Sequence, residues 1–161
     1  MSCIIADSGP LIALAGLDLL HLPQALHGQV LLTRTVLPEC LLKRERMDAQ
    51  RVQQAIAMQW LSVCDDPVMP LCVATLGLDP GESTALALAL EKASAVLLDE
   101  ERGRRAARQL GIQVMGVCGL LLVAKRKGLI ADVMPLLRGM RGNGYFLSDA
   151  LLAQIAEVAH E

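Results

Sequence analysis

The sequence predicts an α/β fold in which helices pack around a parallel β-sheet. Short apolar runs typical of buried strands alternate with longer helical segments through all 161 residues. No repeat, low-complexity tract or interdomain linker interrupts that alternation. The length suits one domain with a substantial core, and we therefore expect a single domain over residues 1–161.

The composition excludes several classes of protein. The net charge is −2 and 53% of the residues are hydrophobic, but only Trp60, Tyr145 and Phe146 are aromatic. A platform of stacked aromatic rings for RNA is therefore not expected. No apolar run approaches the ~20 residues that span a bilayer, and the first residues do not resemble a signal peptide. We expect a cytoplasmic protein that does not associate with a membrane.

The cysteines are odd in number and lack the spacing of a metal site. They are Cys3, Cys40, Cys64, Cys72 and Cys118. Because most of them have apolar neighbours in the sequence, we expect reduced thiols packed in the core.

The first predicted strand ends on a carboxylate. Residues 3–6 form an apolar run, and Asp7-Ser8-Gly9-Pro10 ends it. A proline suited to a first turn, with Ser8 as a possible cap, predicts a helix from about Pro10 to Leu22. Asp7 then lies where a strand passes into a helix, either as a capping residue or as part of a site.

A second acid follows the second predicted strand, residues 29–32. Thr33 or Thr35 can cap the next helix, which is predicted to continue through residues 43–46. Glu39 falls in its first turn, where a carboxylate either favours the helix dipole or belongs to a site. The remaining elements of this half are a polar helix over 48–59, an edge strand over 60–63 and a solvated turn at Asp65-Asp66-Pro67.

The stretch from Leu76 to Arg105 carries most of the candidate chemistry. Asp79-Pro80-Gly81-Glu82 opens an apolar helix, with Glu82 placed as in a capping box. The apolar residues 95–98 form a strand that ends directly on Asp99-Glu100-Glu101. Glu82 therefore has a structural explanation that competes with a role in a site.

The C-terminal third continues the same alternation. An apolar helix ends on Lys125-Arg126-Lys127, which either complement the helix dipole or contact RNA. The other predicted elements are a helix over 102–110, a strand over 112–115, a helical segment over 130–140, an extended piece over 145–147 and a helix over 149–159 capped by Ser148.

Several acids are predicted to meet at one edge of the sheet. Asp7 and Asp99 both follow strands, and Glu39 and Glu82 lie in first helical turns at the same edge. Open α/β sheets bind ligands at that edge. Like charges a few Å apart raise each other's pKa, and a cation removes the conflict. Oxygen ligands without a Cys or His pattern favour Mg²⁺ or Mn²⁺.

Metal-assisted phosphodiester hydrolysis is the reaction class that uses these residues. The sequence contains no GxSxG motif, no phosphate-binding GxxxxGK[ST] loop and no GxGxxG after the first strand. The histidines (His21, His27 and His160) fall at helix ends or in loops.

Five segments together resemble the PIN-domain superfamily, the metal-dependent ribonuclease fold of VapC-type toxins. The segments are IIADSGPLIALAGLDLL, VLPE, LGLDPGESTALALALEKASAVLLDEERGRRAARQLGI, VMGVCGLLLVAKRKGLI and GYFLSDALLAQI. The resemblance covers almost the whole chain and is closest to a branch of PIN proteins known as a domain of unknown function. It implies a three-layer α/β/α sandwich with a mostly parallel central sheet.

The resemblance also implies roles for individual residues. Asp7, Glu39, Glu82 and Asp99 match the four catalytic and metal-binding acids. Glu100 stands where the family usually has a second Asp, and it is a further candidate metal ligand. Arg104 matches an Arg that contacts a phosphate or braces the acids. Ser8 is the expected hydrogen-bond partner of Asp99.

We therefore predict a Mg²⁺- or Mn²⁺-dependent endoribonuclease, in the setting of a toxin with a cognate antitoxin protein. Aliphatic helical surface suggests a homodimer. The candidate contacts to the RNA backbone are Arg102, Arg104, Arg105, Lys125, Arg126 and Lys127.

Two alternatives remain at this point. One is a PIN-like module that binds RNA or protein without cutting. The other is an aspartyl-phosphate phosphatase with Asp7 as the nucleophile, although Gly9 and Pro10 stand where such enzymes usually carry a second Asp.

Overall fold

A computed structural model describes residues 2–42 and 47–161. It contains a five-stranded sheet in the order β3-β2-β1-β4-β5, and every neighbouring pair is parallel. The strands are β1 (Cys3–Ala6), β2 (Gln29–Thr33), β3 (Ser62–Cys64), β4 (Ala95–Leu97) and β5 (Val114–Met115). The predicted α/β sandwich with a parallel sheet is confirmed.

Helices cover both faces of this sheet. They are α1 (Ser8–Gly16), α2 (His21–His27), α3 (Val36–Cys40), α4 (Met47–Ala57), α5 (Leu71–Ala74), α6 (Pro80–Lys92), α7 (Glu101–Gln109), α8 (Val117–Arg126), α9 (Met134–Gly142) and α10 (Asp149–Ala159). Alternate side chains of each strand point to opposite faces, so Ile4 and Ile5 enter two separate apolar clusters. Leu14 and Leu120 pack in the first cluster and Leu86 in the second, which gives the three layers.

The structure corrects several boundaries. The helix predicted from Pro10 to Leu22 is two helices, because the chain turns at Asp18, which adopts a left-handed φ of 57°. The helix that carries Glu39 is only five residues long, and its predicted continuation through 43–46 lies outside the described residues. Helix α5 was not predicted. The Ser148 cap is present, since its hydroxyl accepts a hydrogen bond from the Leu151 amide.

The cysteines are free thiols, but they are not all in the core: Cys40 is buried and Cys72 is exposed. In the described ranges, each helix is too short or too polar to cross a membrane alone. Only α1 and α2 together reach the necessary length and composition, and they are bent by 118°.

A buried chain of hydrogen bonds ties β2 to the starts of α3 and α6. The Val36 amide donates to Thr33 Oγ1 (3.2 Å), which lies 2.8 Å from Thr84 Oγ1, and Thr84 donates to the Gly81 carbonyl (3.0 Å). The Thr33 hydroxyl must therefore donate to Thr84. Because α3 carries Glu39 and α6 carries Glu82, this chain fixes the relative position of two candidate site residues.

Thr33→Val is expected to lower the free energy of unfolding by about 1–3 kcal/mol, because it leaves the buried Val36 amide without an acceptor and removes the hydrogen bond that Thr33 donates to Thr84 Oγ1. Urea denaturation measures the change. Thr75→Val is the matched control, since the Thr75 hydroxyl is exposed and donates only to a carbonyl of its own turn. Equal stability of Thr33→Val and Thr75→Val would contradict the prediction.

Candidate metal centre

Asp7 is a buried carboxylate at the end of the central strand. Its amide donates to the Leu97 carbonyl (3.0 Å), which extends the pairing of β1 with β4 beyond the strand itself. Its side chain is only 7% exposed and makes no capping hydrogen bond to α1. Oδ1 has no hydrogen-bond partner within the described residues. Burial raises the pKa of Asp7 to about 6, and the negative charges of Glu39, Asp79 and Glu100 add to this rise. A hydrogen bond from the Ser8 backbone amide lowers the pKa but does not cancel the rise.

The first turn of α6 supplies two more acids. Asp79 caps this helix through Oδ1, which accepts a hydrogen bond from the Glu82 amide (2.8 Å), and Pro80 suits the first position. Glu82 is 2% exposed, and its Oε1 is buried without a hydrogen-bond partner in the part of the chain that the structure describes. Burial and a hydrogen bond shared with Glu100 raise the pKa of Glu82 above its ordinary value.

Asp79, Glu82 and Glu100 form a compact group of carboxylates, in which one oxygen of each lies within 4.8 Å of the others. Asp79 was predicted only as a helix cap, so sequence reasoning missed its place in the site. The signal was present in the spacing, because the residue that caps a helix lies beside the acid three positions later. Glu100 lies beside Glu82, and its side chain is one cause, after burial, of the raised pKa of Glu82.

Asp99 is held differently from the other acids. Val117 donates its amide to Oδ1 (3.0 Å) and the Tyr145 hydroxyl donates to Oδ2. Burial raises the pKa of Asp99 above its ordinary value, although these two hydrogen bonds and the charge of the nearby Arg104 oppose the rise. A Cβ on Gly116 would lie 2.6 Å from Oδ1 of Asp99, so this position requires glycine. Sequence reasoning missed Tyr145, which lies 46 positions away along the chain.

The predicted hydrogen bond between Ser8 and Asp99 is wrong. Ser8 Oγ donates to Glu39 Oε2 at 2.6 Å instead. The sheet order explains the difference, because β1 lies between β2 and β4 and the Ser8 side chain faces the β2 side. Glu39 thereby reaches the site from α3, where it also lies against Gly81. A Cβ there would lie 2.7 Å from Glu39 Oε1.

Three arginines in the first half of α7 make different contacts. Arg104 Nη1 donates to the Leu98 carbonyl (2.9 Å) and its charge acts on Asp99, so it braces the end of β4. Arg102 is exposed beside Gly77. Arg105 is exposed and lies 3.9 Å from Glu101.

The basic triplet lies at the opposite end of α8. That helix starts beside Asp99 and runs for ten residues, which is a length of about 15 Å. Lys125 Nζ donates to the Ala159 carbonyl and to Glu161, both at 2.8 Å. Lys125 therefore has a structural role, and Arg126 and Lys127 are exposed away from the acids. An RNA contact by this triplet stays a prediction.

A groove of about 570 Å³ opens onto the acids. The acids along it are Asp7, Asp79, Asp99, Glu100 and Glu101. Its apolar wall includes Pro10, Phe146 and Leu151.

The donor set fits a divalent cation. All the candidate ligand atoms are carboxylate oxygens, as Mg²⁺ and Mn²⁺ prefer. Two of those oxygens, on Asp7 and Glu82, are buried and lack hydrogen-bond partners among the described residues. Burying such groups is costly unless they are paired or bind a metal.

The structure is thus a parallel α/β sandwich that gathers carboxylates at the carboxyl edge of its sheet. The family model described as a PIN domain matches residues 3–161. The chain therefore belongs to the PIN-domain family, whose members are generally nucleases and usually use divalent metals. No curated protein matches this chain.

Asp7→Asn is expected to stabilise the metal-free protein at neutral pH. The pKa of Asp7 in the folded protein, about 6, lies above its ordinary value of 3.8. The protonated carboxyl therefore favours the folded state fully at low pH, and this contribution is lost as the pH rises through 6. At neutral pH the buried carboxylate is charged, and the neutral Asn side chain removes that cost. Two pKa units correspond to about 3 kcal/mol, which is the upper limit of the gain. Thermal unfolding in EDTA at several pH values measures it.

The stabilisation by Asp7→Asn should disappear toward pH 4, where the wild-type carboxyl is protonated when folded. Asp132→Asn is the control, because the Asp132 side chain is exposed and does not line the acidic groove. A constant difference between Asp7→Asn and wild type at all pH values would contradict the assignment.

Proposed function

We propose that this chain is a Mg²⁺- or Mn²⁺-dependent endoribonuclease that hydrolyses phosphodiester bonds in RNA. One observation carries the proposal: buried oxygens of Asp7 and Glu82 lack hydrogen-bond partners in the described ranges, beside the carboxylates of Asp79 and Glu100. A fold maintains such a costly arrangement when a cation compensates it. Membership of the PIN family supports the reaction class.

The residues that would hold the cation are Asp7, Glu82, Glu100 and Asp79, with Glu39 and Asp99 completing the acidic centre. A bound divalent ion activates water and stabilises the charge of a phosphoryl transition state. The side chains contribute orientation and proton release. The pKa values of Glu82 and Asp7 are raised, so cation binding displaces protons from these two carboxyls and weakens as the pH falls.

The finer parts of the proposal rest on the family and on exposed charge. Arg102 and Arg105 are exposed at the start of α7 and are our candidates to guide the RNA backbone. We propose that residues 1–161 act as one domain, in the cytoplasm and as a homodimer. We further propose that the chain is the toxin of a pair whose antitoxin covers the acids.

The proposed activity is tested by incubating a pool of structured RNAs with purified protein and Mn²⁺, Mg²⁺ or EDTA. We expect cutting that requires metal. Asp99→Asn should slow it by about 100-fold or more, because the acidic centre loses one of the negative charges that would hold the cation, and with it electrostatic stabilisation of the transition state. Asp132→Asn should cut like wild type. Cutting in EDTA, or undiminished cutting by Asp99→Asn, would contradict the proposal. The absence of both cutting and metal binding by calorimetry would favour the non-catalytic module instead.

Tyr145→Phe is expected to weaken Mn²⁺ binding by about 10-fold, as the loss of an outer hydrogen-bond partner of a metal site commonly does. The physical reason is that Asp99 loses the hydroxyl that lowers its pKa and fixes its orientation. Calorimetry near neutral pH measures the affinity. Trp60→Phe is the control, because Trp60 packs against His21 and does not line the groove. An unchanged affinity in Tyr145→Phe would show that the Val117 amide alone holds Asp99.

A further inference from the structure

A short extended segment, Tyr145–Ser148, forms one rim of the acidic groove. Its side chains alternate in direction: Tyr145 is half-buried and bonded to Asp99, Phe146 is 88% exposed, and Leu147 is 6% exposed. The Tyr145 amide donates to the Met140 carbonyl (3.0 Å) and Ser148 caps α10. Contacts on both sides of Phe146 therefore fix the backbone that directs its ring outward.

The exposure of Phe146 has no explanation in the folding of the chain. Phenylalanine is among the residues most often buried, and its ring is a large apolar surface. Within residues 2–42 and 47–161, nine large apolar side chains are exposed, and Phe146 is the one that lines the groove with Asp7 and Asp99. Its neighbour Tyr145 touches Asp99 directly, so Phe146 is one position along the chain from a residue bonded to the acidic centre, and it lines the same groove.

We propose that Phe146 is a base-stacking residue that binds an unpaired nucleobase of single-stranded RNA beside the acidic centre. This inference rests on the proposed function and assigns to its RNA substrate a binding residue outside the acidic centre. Every base presents a π-face to an aromatic ring, but a base within a duplex is already stacked on both faces. Pro10 and Leu151 extend the same apolar wall.

Stacking also answers an electrostatic difficulty of this groove. Its acids repel a phosphate backbone, whereas attraction between a base and a ring does not depend on net charge. One exposed ring is enough to hold one base, although it is not a platform for several. The ring thus supplies affinity and position for a strand that the acids alone would disfavour.

The test measures binding in EDTA, so that it does not depend on activity. The probe is a fluorescein-labelled, unstructured RNA of about a dozen nucleotides, and anisotropy reports its affinity. We expect Phe146→Ala to bind at least about five-fold more weakly, and Phe146→Tyr and Phe146→Trp to retain binding. Val158→Ala is the matched control, because Val158 is an exposed apolar residue near the far end of α10. It should bind like wild type.

Phe146→Trp gives a second, direct readout. Wild type contains a single tryptophan, Trp60, which is packed against the core and supplies the background signal. We expect single-stranded RNA to quench the emission of Phe146→Trp beyond that background, and a duplex of the same sequence to quench it far less. Equal quenching by duplex and single strand would overturn base stacking.

The outcomes separate this inference from the proposed nuclease activity. If wild type cuts RNA but Phe146→Ala binds the single strand equally well, the nuclease stands and the stacking residue is refuted. If the single strand binds through Phe146 but no metal-dependent cutting occurs, the stacking site stands and the nuclease falls. A wild-type protein that binds no single-stranded RNA, with or without Mn²⁺, overturns the inference.

Discussion

Repulsion between buried carboxylates is the constraint on which the rest of this site depends. The parallel sheet brings Asp7 to the same edge as Asp99, because β1 and β4 are neighbours with the same direction. Helices α3 and α6 start at that edge and add Glu39 and Glu82. The fold compensates these charges unequally: Asp99 accepts two hydrogen bonds and lies near an arginine, whereas Asp7 and Glu82 keep buried oxygens that lack partners among the described residues. Burial first, and then the neighbouring carboxylates, raise the pKa values of Asp7 and Glu82, and burial raises the pKa of Asp99 as well.

Close approach is the second requirement of such a site, and it explains two glycines. A side chain at position 81 would collide with Glu39, and one at position 116 would collide with Asp99 and Arg104. The backbone itself therefore forms part of the wall around the acids. The hydrogen-bond chain from Val36 through Thr33 to Thr84 also holds the acids in position, because it joins the starts of α3 and α6, which carry Glu39 and Glu82. Close backbone approach and these threonine hydrogen bonds together hold the acids in position.

The sequence predicted what depends on local pattern and missed what depends on side-chain direction. Alternating strands and helices were enough to predict a parallel sheet and to bring Asp7 and Asp99 to one edge. The partner of Ser8 was predicted wrongly, because sequence does not show on which side of β1 a side chain points. The bond from Tyr145 to Asp99 joins segments 46 positions apart, and no periodicity connects them. Helix ends were displaced where a single residue, such as Asp18, leaves the right-handed region.

Asp79 shows why a structural and a functional explanation need not compete. One carboxylate oxygen accepts the Glu82 amide and starts α6, and that bond fixes the first helical turn from which Glu82 projects. A carboxylate has two oxygens, so the same side chain still offers an atom to the group that it forms with Glu82 and Glu100. Asp79 thus positions Glu82, and the same capping hydrogen bond that starts the helix also brings the two carboxylates together. Tyr145 and Phe146 are a second such pair of neighbouring residues in the groove. The hydrogen bond from Tyr145 to Asp99 holds the backbone in place, and that backbone determines where the exposed Phe146 ring lies.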